Sequence, residues 1–104
     1  MQYVIIAKDA EDGEALNRRL AARADHVSYS DEAVKHGEQI IGAALLDREG
    51  DMRGSVMIVD FENEAALKDW LDNEAYVRGQ VWKDIDILPC RIGPSFNHCL
   101  LKRA

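Results

Sequence analysis

Two apolar runs, residues 39–46 and 55–61, are separated only by a short polar segment, and this arrangement constrains the fold more than any other feature of the sequence. Both runs have the composition of strands. The segment between them, residues 47–53, is polar and contains Gly50, so we expect a hairpin-type connection between antiparallel strands. The second run is apolar almost throughout, which favours a central position in a sheet.

A strand and a long helix precede this hairpin. Residues 2–8 combine β-branched and aromatic side chains and end in a polar turn, which predicts a strand. Acidic residues from Asp12 onward and Gly37 after the last turn predict a helix over 12–36 that can bend near residues 21–24. Its apolar residues are spaced three and four apart and should form the buried face: Leu16, Leu20, Ala24 and Val27.

A second helix and a fourth strand follow the hairpin. Asn63 can cap a helix with apolar residues at helical spacing, and residues 74–80 form a short helical or turn segment. Residues 81–90 predict the last strand, in which Pro89 suits an edge or a strand end. The order β-α-β-β-α-β indicates a ferredoxin-like α+β fold, in which two helices cover one face of a four-stranded antiparallel sheet.

The other face of such a sheet is apolar and has no cover within the four-strand unit. A second copy of the chain, packed sheet against sheet, would cover it, so we predict a homodimer. We expect a single domain over residues 1–104, with a core at 1–90 and a tail at 91–104. The tail either forms a further short strand that contacts the partner subunit or folds on its own subunit.

Composition narrows the range of partners and compartments. The chain has 104 residues, enough for one domain, and a formal net charge of −6. It shows no basic stripe of the kind that binds nucleic acid, no signal peptide and no apolar stretch near the roughly 20 residues of a membrane span. Cys90 and Cys99 do not make a disulfide framework. We therefore expect a cytoplasmic protein that binds neither nucleic acid nor a membrane.

Histidines and cysteines form no recognisable metal-binding pattern. His26 and His36 are ten residues apart on the predicted helix, and Cys90, His98 and Cys99 match no familiar spacing. The sequence also lacks a phosphate-binding glycine loop, a nucleophile elbow and a dinucleotide fingerprint. We therefore expect no metal and no cofactor.

His26 directly precedes Val27 of the predicted apolar stripe, so its ring is expected at the boundary between helix and sheet. A half-buried imidazole there is a competent general base near neutral pH when a carboxylate bonds one of its nitrogens. Asp25 points to another side of the helix, because adjacent residues do not share a face. Asp47, at the end of the second strand, is one candidate acid partner.

An ordered set of motifs resembles the YCII-related family. The family has a helical His followed by a Gly eleven residues later, a Gly-Ser pair that opens an apolar strand, and a helix with Trp. An Asp-Pro-Tyr or Asp-Pro-Phe step and a strand that ends at Pro follow. The corresponding residues here are His26, Gly37, Gly54-Ser55, Trp70, Glu74-Ala75-Tyr76 and Pro89. The resemblance covers nearly everything except the tail.

The resemblance implies a dimeric α+β barrel whose active-site pocket contains a His–acid pair. Carried over to this sequence, His26 is the general base or acid and Glu74 orients it. Tyr29, Tyr76 and Ser55 are then expected to bind a small-molecule substrate. A His26–Glu74 pair that only pins the two helices together is the alternative, and aromatic rings at such positions also pack without touching a ligand.

These observations leave three functional hypotheses open. The first is a cofactor-free isomerase, lyase or dehydrohalogenase that uses the His–acid pair for proton transfer on a small cyclic or aromatic metabolite. The second is a non-catalytic dimeric module with a ligand-binding or accessory role. The third is a cofactor-free monooxygenase of related barrel architecture.

Overall fold

A four-stranded antiparallel sheet with helices forms the structure, a computed structural model that describes residues 1–100. The sheet order is β2-β3-β1-β4, so β4 is an edge strand. The topology confirms the ferredoxin-like α+β fold. The elements along the chain are β1 Gln2–Asp9, α1 Ala15–Lys35, β2 Gln39–Leu46, β3 Met52–Asp60, α2 Glu64–Asp72, α3 Ala75–Arg78 and β4 Trp82–Cys90.

Strand alternation divides the sheet into a helix-covered face and an outer face. Along β1 the buried positions are Tyr3, Ile5 and Ala7, and Asp9 continues the same face at the strand end. Ile5 pairs with Met57 of β3, which is buried on the same side. The helix-covered face therefore carries the hydrophobic core, and the buried Asp9 carboxylate lies on the same face at the end of β1.

Helix α1 begins at Ala15, three residues later than the sequence predicts. The Asp12 carboxylate accepts a hydrogen bond from the Glu14 backbone N–H at 3.0 Å, which forms a local turn instead of a first helical turn. Gly13, with φ of +83°, lies in the left-handed region that a helix excludes. The acidic residues thus build the turn before α1.

The buried face of α1 differs from the predicted apolar stripe. Leu20 and Val27, expected inside, are 54% and 40% exposed. The buried residues of this helix are Ala15, Arg19 and Ala33. The face that packs on the sheet therefore uses small alanines and polar side chains that find partners inside, and the larger aliphatic residues point outward.

Helix α2 begins as the sequence predicts. The Asn63 side chain accepts a hydrogen bond from the Ala66 backbone N–H at 2.9 Å, which satisfies one of the free donors of the first turn. Leu67 and Leu71 are the buried residues of this helix. They anchor α2 to the core and so fix the position of the segment that follows, which carries Glu74.

The outer face of the sheet is apolar and partly uncovered. Ile41, Leu88 and Leu45 are 55%, 51% and 38% exposed. Along the described part of the tail, residues 91–100, the chain forms a 3₁₀ helix at Pro94–Cys99 and not the strand that was one alternative. The last four residues of the predicted tail lie outside the described residues.

The tail is attached to its own subunit. The Ile92 backbone N–H donates to the Gln2 side chain at 2.7 Å. Phe96 and Cys99 of the tail line an apolar hollow of about 380 Å³ together with Val4 and Ile58 of the sheet. The tail therefore covers one end of the outer face. Within residues 1–100, no helix is long and apolar enough to cross a membrane.

Candidate active site

His26 and Glu74 meet in the layer of helices. His26 projects from the middle of α1, and its Nδ1 lies 2.9 Å from both carboxylate oxygens of Glu74. The Glu74 side chain is fully buried, whereas the His26 side chain is 18% exposed. A carboxylate accepts a hydrogen bond from Nδ1–H, which leaves the lone pair on Nε2. In a neutral imidazole this contact therefore leaves Nε2 as the nitrogen with the lone pair and fixes the orientation of the ring.

Glu74 is fixed from a second direction because it caps α3. Its Oε1 accepts a hydrogen bond from the Tyr76 backbone N–H at 3.0 Å. The family-type Asp-Pro step is replaced here by Glu74-Ala75, and the longer glutamate still reaches both the helix start and the imidazole. The acid thus cannot turn away from His26 without uncapping α3.

The Tyr76 ring lies against the imidazole. Its centroid is 3.9 Å from that of His26, with the two planes 10° apart. The Arg19 guanidinium carbon lies 4.5 Å from the centroid of the same ring. Arg19 and His26 are seven residues apart on α1, about 10 Å along the axis, so the ring lies between them. This stack restricts the imidazole to one plane.

A buried ion pair supports the stack, and sequence reasoning missed it. Arg19 donates to Asp9 through Nε at 2.8 Å and through Nη2 at 2.9 Å. Nη2 also donates to the Ser55 hydroxyl at 2.9 Å, and the Trp82 ring N–H donates to the same oxygen at 3.3 Å. The two ion-pair side chains are 2% and 3% exposed. This network joins α1 to three strands of the sheet.

Two signals in the sequence point to this pair. Asp9 continues the alternation of Tyr3, Ile5 and Ala7 toward the helix side of the sheet. Arg19 precedes His26 by seven residues, two helical turns, and so shares its face. A helical wheel centred on His26, and not on the leucines, would have found the pair.

A cleft of about 310 Å³ opens beside His26. Helix α1 and strands β2 and β3 form its walls, and its lining includes His26, Val27, Met57 and the guanidinium-bearing Arg23. An ion pair with Arg19 neutralises the deeply buried Asp9 carboxylate, and the buried Glu74 carboxylate is hydrogen-bonded to His26 and to the Tyr76 N–H. The cleft is thus a partly apolar space with one oriented imidazole in its wall.

The structure brings some of the predicted substrate-binding residues to the cleft. Tyr76 and Ser55 both line it, although they are only 1% and 5% exposed. Their atoms are largely engaged by Arg19, His26 and Trp82, so they contribute to the cleft wall mainly as supports.

Tyr29 lies outside this cleft, in contrast to the expectation. Its hydroxyl donates to the Trp70 backbone carbonyl at 2.7 Å, and its ring stacks on Trp70 with centroids 5.3 Å apart. It lines a separate hollow that faces α3. Residues at i and i+3 share a helix face only roughly, and this small angular difference turns Tyr29 toward α2.

Asp47, the other acid considered for His26, belongs to the hairpin. It accepts from Arg53 Nε at 2.8 Å and from the backbone N–H groups of Glu49 and Asp51 at 3.0 Å. The Arg53 hydrogen bond, first of all, lowers the pKa of this carboxyl. Asp47 is therefore a turn residue.

Burial affects the tyrosines of the site region. It raises the pKa of the Tyr76 phenol above the ordinary 10.0, although the positive charge of Arg19 acts in the opposite direction. Burial, together with the charges of Glu74 and Glu38, also raises the pKa of Tyr29. Both phenols therefore stay neutral in the physiological range and act as hydrogen-bond donors or ring surfaces.

Within residues 1–100, no group of three or more His, Cys, Asp and Glu side chains is arranged to hold a metal ion. His36 donates from Nδ1 to the Glu32 backbone carbonyl at 2.7 Å, four residues earlier on α1. His98 lies in the 3₁₀ helix of the tail. Of the described histidines, His26 is the one that lines the cleft.

Comparison with known protein families identifies a YCII-related domain over residues 1–91. The chain belongs to the YCII-related family. An uncharacterised protein from Haemophilus influenzae is 32% identical to it over 95 residues, which cover 86% of this chain and 95% of that protein. This finding confirms the family resemblance in the sequence.

Solved structures share the fold of this YCII-related chain. The 5-chloro-2-hydroxyhydroquinone dehydrochlorinase from Burkholderia phenoliruptrix, in complex with 2,5-dihydroxybenzoquinone, superimposes with a TM-score of 0.78 at 19% identity, over 91% of this chain and 98% of that chain. An antibiotic biosynthesis monooxygenase gives 0.54 at 18% identity, over 90% and 100%. A dimeric ferredoxin-like protein from Jannaschia sp. CCS1 gives 0.53 at 16% identity, over 88% and 98%.

Proposed function

We propose that this YCII-related protein is a small-molecule enzyme that transfers protons without a cofactor. His26 is the general base and then the general acid, and Glu74 holds its tautomer and orientation. The observation that carries the proposal is the contact of Nδ1 with both Glu74 oxygens at 2.9 Å. This contact leaves Nε2 without a partner among residues 1–100, on a ring that lines the cleft.

The reaction follows from one basic nitrogen beside a hydroxylated ring. Nε2 takes the proton of a ring hydroxyl, and the O–H electron pair moves into the ring as a carbonyl forms. The displaced ring electrons take a proton from the imidazolium at a ring carbon, which is an isomerisation. Where that carbon bears a halogen, Nε2 then takes the proton of a second ring hydroxyl, a second carbonyl forms, and the shifted ring electrons expel the halide ion with its bonding pair, which is a dehydrohalogenation. Glu74 stabilises the imidazolium between the two steps.

The substrate class follows from the dimensions and polarity of the cleft. A closed apolar cavity of about 150 Å³ holds benzene, so a cleft of about 310 Å³ accommodates one substituted six-membered ring. The shared fold with a dehydrochlorinase of a hydroxylated, chlorinated ring supports the same class of substrate. We therefore propose hydroxylated aromatic or related cyclic compounds as substrates.

A purely structural His26–Glu74 pair would leave two features of the site unexplained. A His–Glu contact that only joins α1 to α3 does not require a cleft beside the imidazole or a ring nitrogen without a partner. Glu74 already serves a structural purpose as the cap of α3. The other ring nitrogen of His26, Nε2, has no structural hydrogen bond of this kind among residues 1–100.

Turnover assays with matched variants test the proposal. Wild type, His26→Asn and Glu74→Gln are incubated with chlorinated hydroquinones and with lactones, and products and free chloride are measured. We expect turnover by wild type and a loss of about 10²–10⁴-fold in His26→Asn, the usual contribution of a positioned acid–base group. Glu74→Gln keeps an oxygen to cap α3 but removes the charge, so it should lose less activity and retain the fold.

His36→Asn is the matched control, because His36 directly follows the same helix, is exposed, and its ring bonds only the Glu32 backbone carbonyl. It should retain full activity. Equal rates for wild type and His26→Asn, or no turnover of any compound by a folded wild type that binds ligands, would contradict the enzyme proposal. The second result would favour the binding module, and oxygen uptake during turnover would favour the monooxygenase.

We also propose that two copies pair through the outer faces of their sheets. The exposed aliphatic side chains Ile41 and Leu45 of β2 and Leu88 of β4 support this contact, because large exposed apolar patches often mark interfaces. A solved structure with the same fold is described as a dimer. The partner of the chain is then a second copy of itself.

Sedimentation velocity at micromolar concentration tests the dimer. Ile41→Glu places a charge on the outer sheet face and should shift the protein to monomer. Leu20→Glu is the matched control, since Leu20 is as exposed, at 54% against 55%, but lies on α1 on the other side of the molecule. A monomeric wild type, or equal dissociation of both variants, would contradict the arrangement.

A further inference from the structure

The wall of the cleft near His26 contains two buried oxygen atoms that bond nothing. Within residues 1–100, the buried side-chain atoms without a hydrogen-bond partner are Ser30 Oγ and Gln39 Oε1. Both residues line the cleft. Gln39 is 6% exposed as a whole residue, so solvent does not readily replace the missing partner.

An unpaired buried oxygen is unfavourable, because the group has lost its water without gaining a bond. The other buried polar groups of the same cleft are satisfied, since Arg19 and Ser55 bond each other and their neighbours. The two unpaired atoms thus belong to residues that line the same cleft as the base that the proposed reaction requires. Such an arrangement is expected where a ligand supplies the missing partners.

Ser30 and Gln39 lie on two different elements, α1 and β2, that form walls of the cleft. Ser30 is one helical turn after His26 on α1 and therefore shares its face. Gln39 is the first residue of β2, across the cleft. A Cβ at Gly42 would approach Gln39 Nε2 to 2.8 Å, so the absence of a side chain at Gly42 leaves the room that the Gln39 amide occupies.

We propose that Gln39 and Ser30 form a hydroxyl-recognition subsite that selects substrates with a second free hydroxyl group. The inference rests on the proposed function, because it assigns the first hydroxyl to Nε2 of His26. Gln39 Oε1 accepts a hydrogen bond from the second hydroxyl, and the Ser30 hydroxyl bonds the same group or its neighbour. An ether in place of that hydroxyl has no proton to donate and leaves Gln39 unpaired.

Anaerobic calorimetry with two probes of nearly the same shape tests this subsite. Hydroquinone has the second hydroxyl, and 4-methoxyphenol carries a methyl ether in its place. We expect wild type to bind hydroquinone at least about 10-fold more tightly, the effect of one buried acceptor left without its donor. Gln39→Met, which keeps the length but removes the acceptor, should bring the ratio close to one, and Gln39→Glu should preserve it.

Two variants outside the cleft serve as controls. Ser28→Ala removes an exposed hydroxyl from the same helix and is compared with Ser30→Ala. Gln80→Met is compared with Gln39→Met, since Gln80 is exposed and does not line the cleft. Both controls should retain the wild-type ratio, whereas Ser30→Ala should reduce it.

The same titrations in the His26→Asn background separate this inference from the proposed function. A preserved preference for hydroquinone over 4-methoxyphenol in a variant without turnover supports the subsite independently of catalysis. Equal affinity of wild type for the two probes, or no binding of either, overturns the subsite, even if wild type turns over other compounds. A preference that persists in Gln39→Met also overturns it.

Discussion

The cleft has two ends that differ in how their polar groups are satisfied. At the inner end, Arg19 bonds Asp9 and Ser55, and Glu74 bonds both His26 and the start of α3. At the other end, Ser30 Oγ and Gln39 Oε1 bond nothing within residues 1–100. Groups that are fully paired contribute to the fold, whereas unpaired ones remain available to a ligand. Substitutions at the two ends should therefore differ in whether they change stability or affinity.

The largest expected effect is at the ion pair. Arg19→Met leaves the Asp9 carboxylate buried without a partner, so we expect a loss of about 3–5 kcal/mol in the free energy of unfolding, measured with urea. Arg23→Met, one turn further along α1 and exposed, is the matched control and should change stability by less than about 0.5 kcal/mol. Asp9→Leu combined with Arg19→Met should recover most of the loss, and a double variant as unstable as the single one would contradict this explanation.

Removal of the Glu74 carboxylate should have the next largest effect on stability. Glu74→Ala uncaps α3 and leaves the His26 Nδ1–H without its acceptor, which we expect to lower the free energy of unfolding by about 2–4 kcal/mol. Glu74→Gln should lose clearly less, since its amide oxygen can still accept from the Tyr76 N–H. Thermal unfolding of the two variants would contradict the assignment if they lost equal stability.

A smaller effect is expected at Tyr29, which belongs to neither end of the cleft. Tyr29→Phe removes the 2.7 Å hydrogen bond to the Trp70 carbonyl but keeps the ring stack, so the expected loss is about 0.5–1.5 kcal/mol. Ligand affinity and turnover should be unchanged, because Tyr29 does not line the cleft. A change in affinity without a change in stability would place Tyr29 back in the site.

Alkaline pH should also reduce stability modestly. The pKa values of Tyr76 and Tyr29 are raised in the folded protein, so above pH 10.0 the unfolded chain releases protons that the folded chain retains. The free energy of unfolding should therefore fall as the pH rises past that value. Absorbance titration at the tyrosinate band, repeated with Tyr76→Phe and Tyr29→Phe, assigns each of the two raised pKa values to its tyrosine.

The smallest effect on stability is expected at Ser30 and Gln39, where the effect on ligand affinity should be largest. Ser30→Ala and Gln39→Met remove oxygen atoms that have no partner, so each should change the free energy of unfolding by no more than about 0.5 kcal/mol, in either direction. Urea unfolding beside the calorimetric titrations measures both quantities on the same samples. A large loss of stability in either variant would mean that the two ends of the cleft do not differ as described.

The sequence predicted the strands well because their signal is local. Alternation with period two in β1 and the apolar run of β3 identify strands without knowledge of their neighbours. The hairpin, the Asn63 cap and the Pro89 edge position follow from side-chain chemistry at single residues. The family resemblance, and not periodicity, singled out Glu74 as the partner of His26.

The parts that could not be predicted depend on partners distant in sequence. Leu20 and Val27 look like a buried stripe, but the groove above the sheet is occupied by Arg19, whose burial depends on Asp9 in another element. Hydrophobicity alone therefore selects the wrong face of α1. The sequence likewise does not show that Gln39 Oε1 lacks a partner, because this depends on which hydrogen-bond donors the folded chain brings near it.

The position of the tail on the outer sheet face has a consequence for assembly. Phe96 and Cys99 lie over the end of the sheet that contains Val4 and Ile58, whereas the paired residues Ile6 and Val56 do not line the hollow beneath the tail. In the dimer that we propose, a second sheet would have to approach beside this obstruction, so the tail would limit how far two subunits could slide across each other. Variation in tail length among related chains would then alter the offset between subunits without altering the cleft at His26, which lies on the opposite side of the sheet.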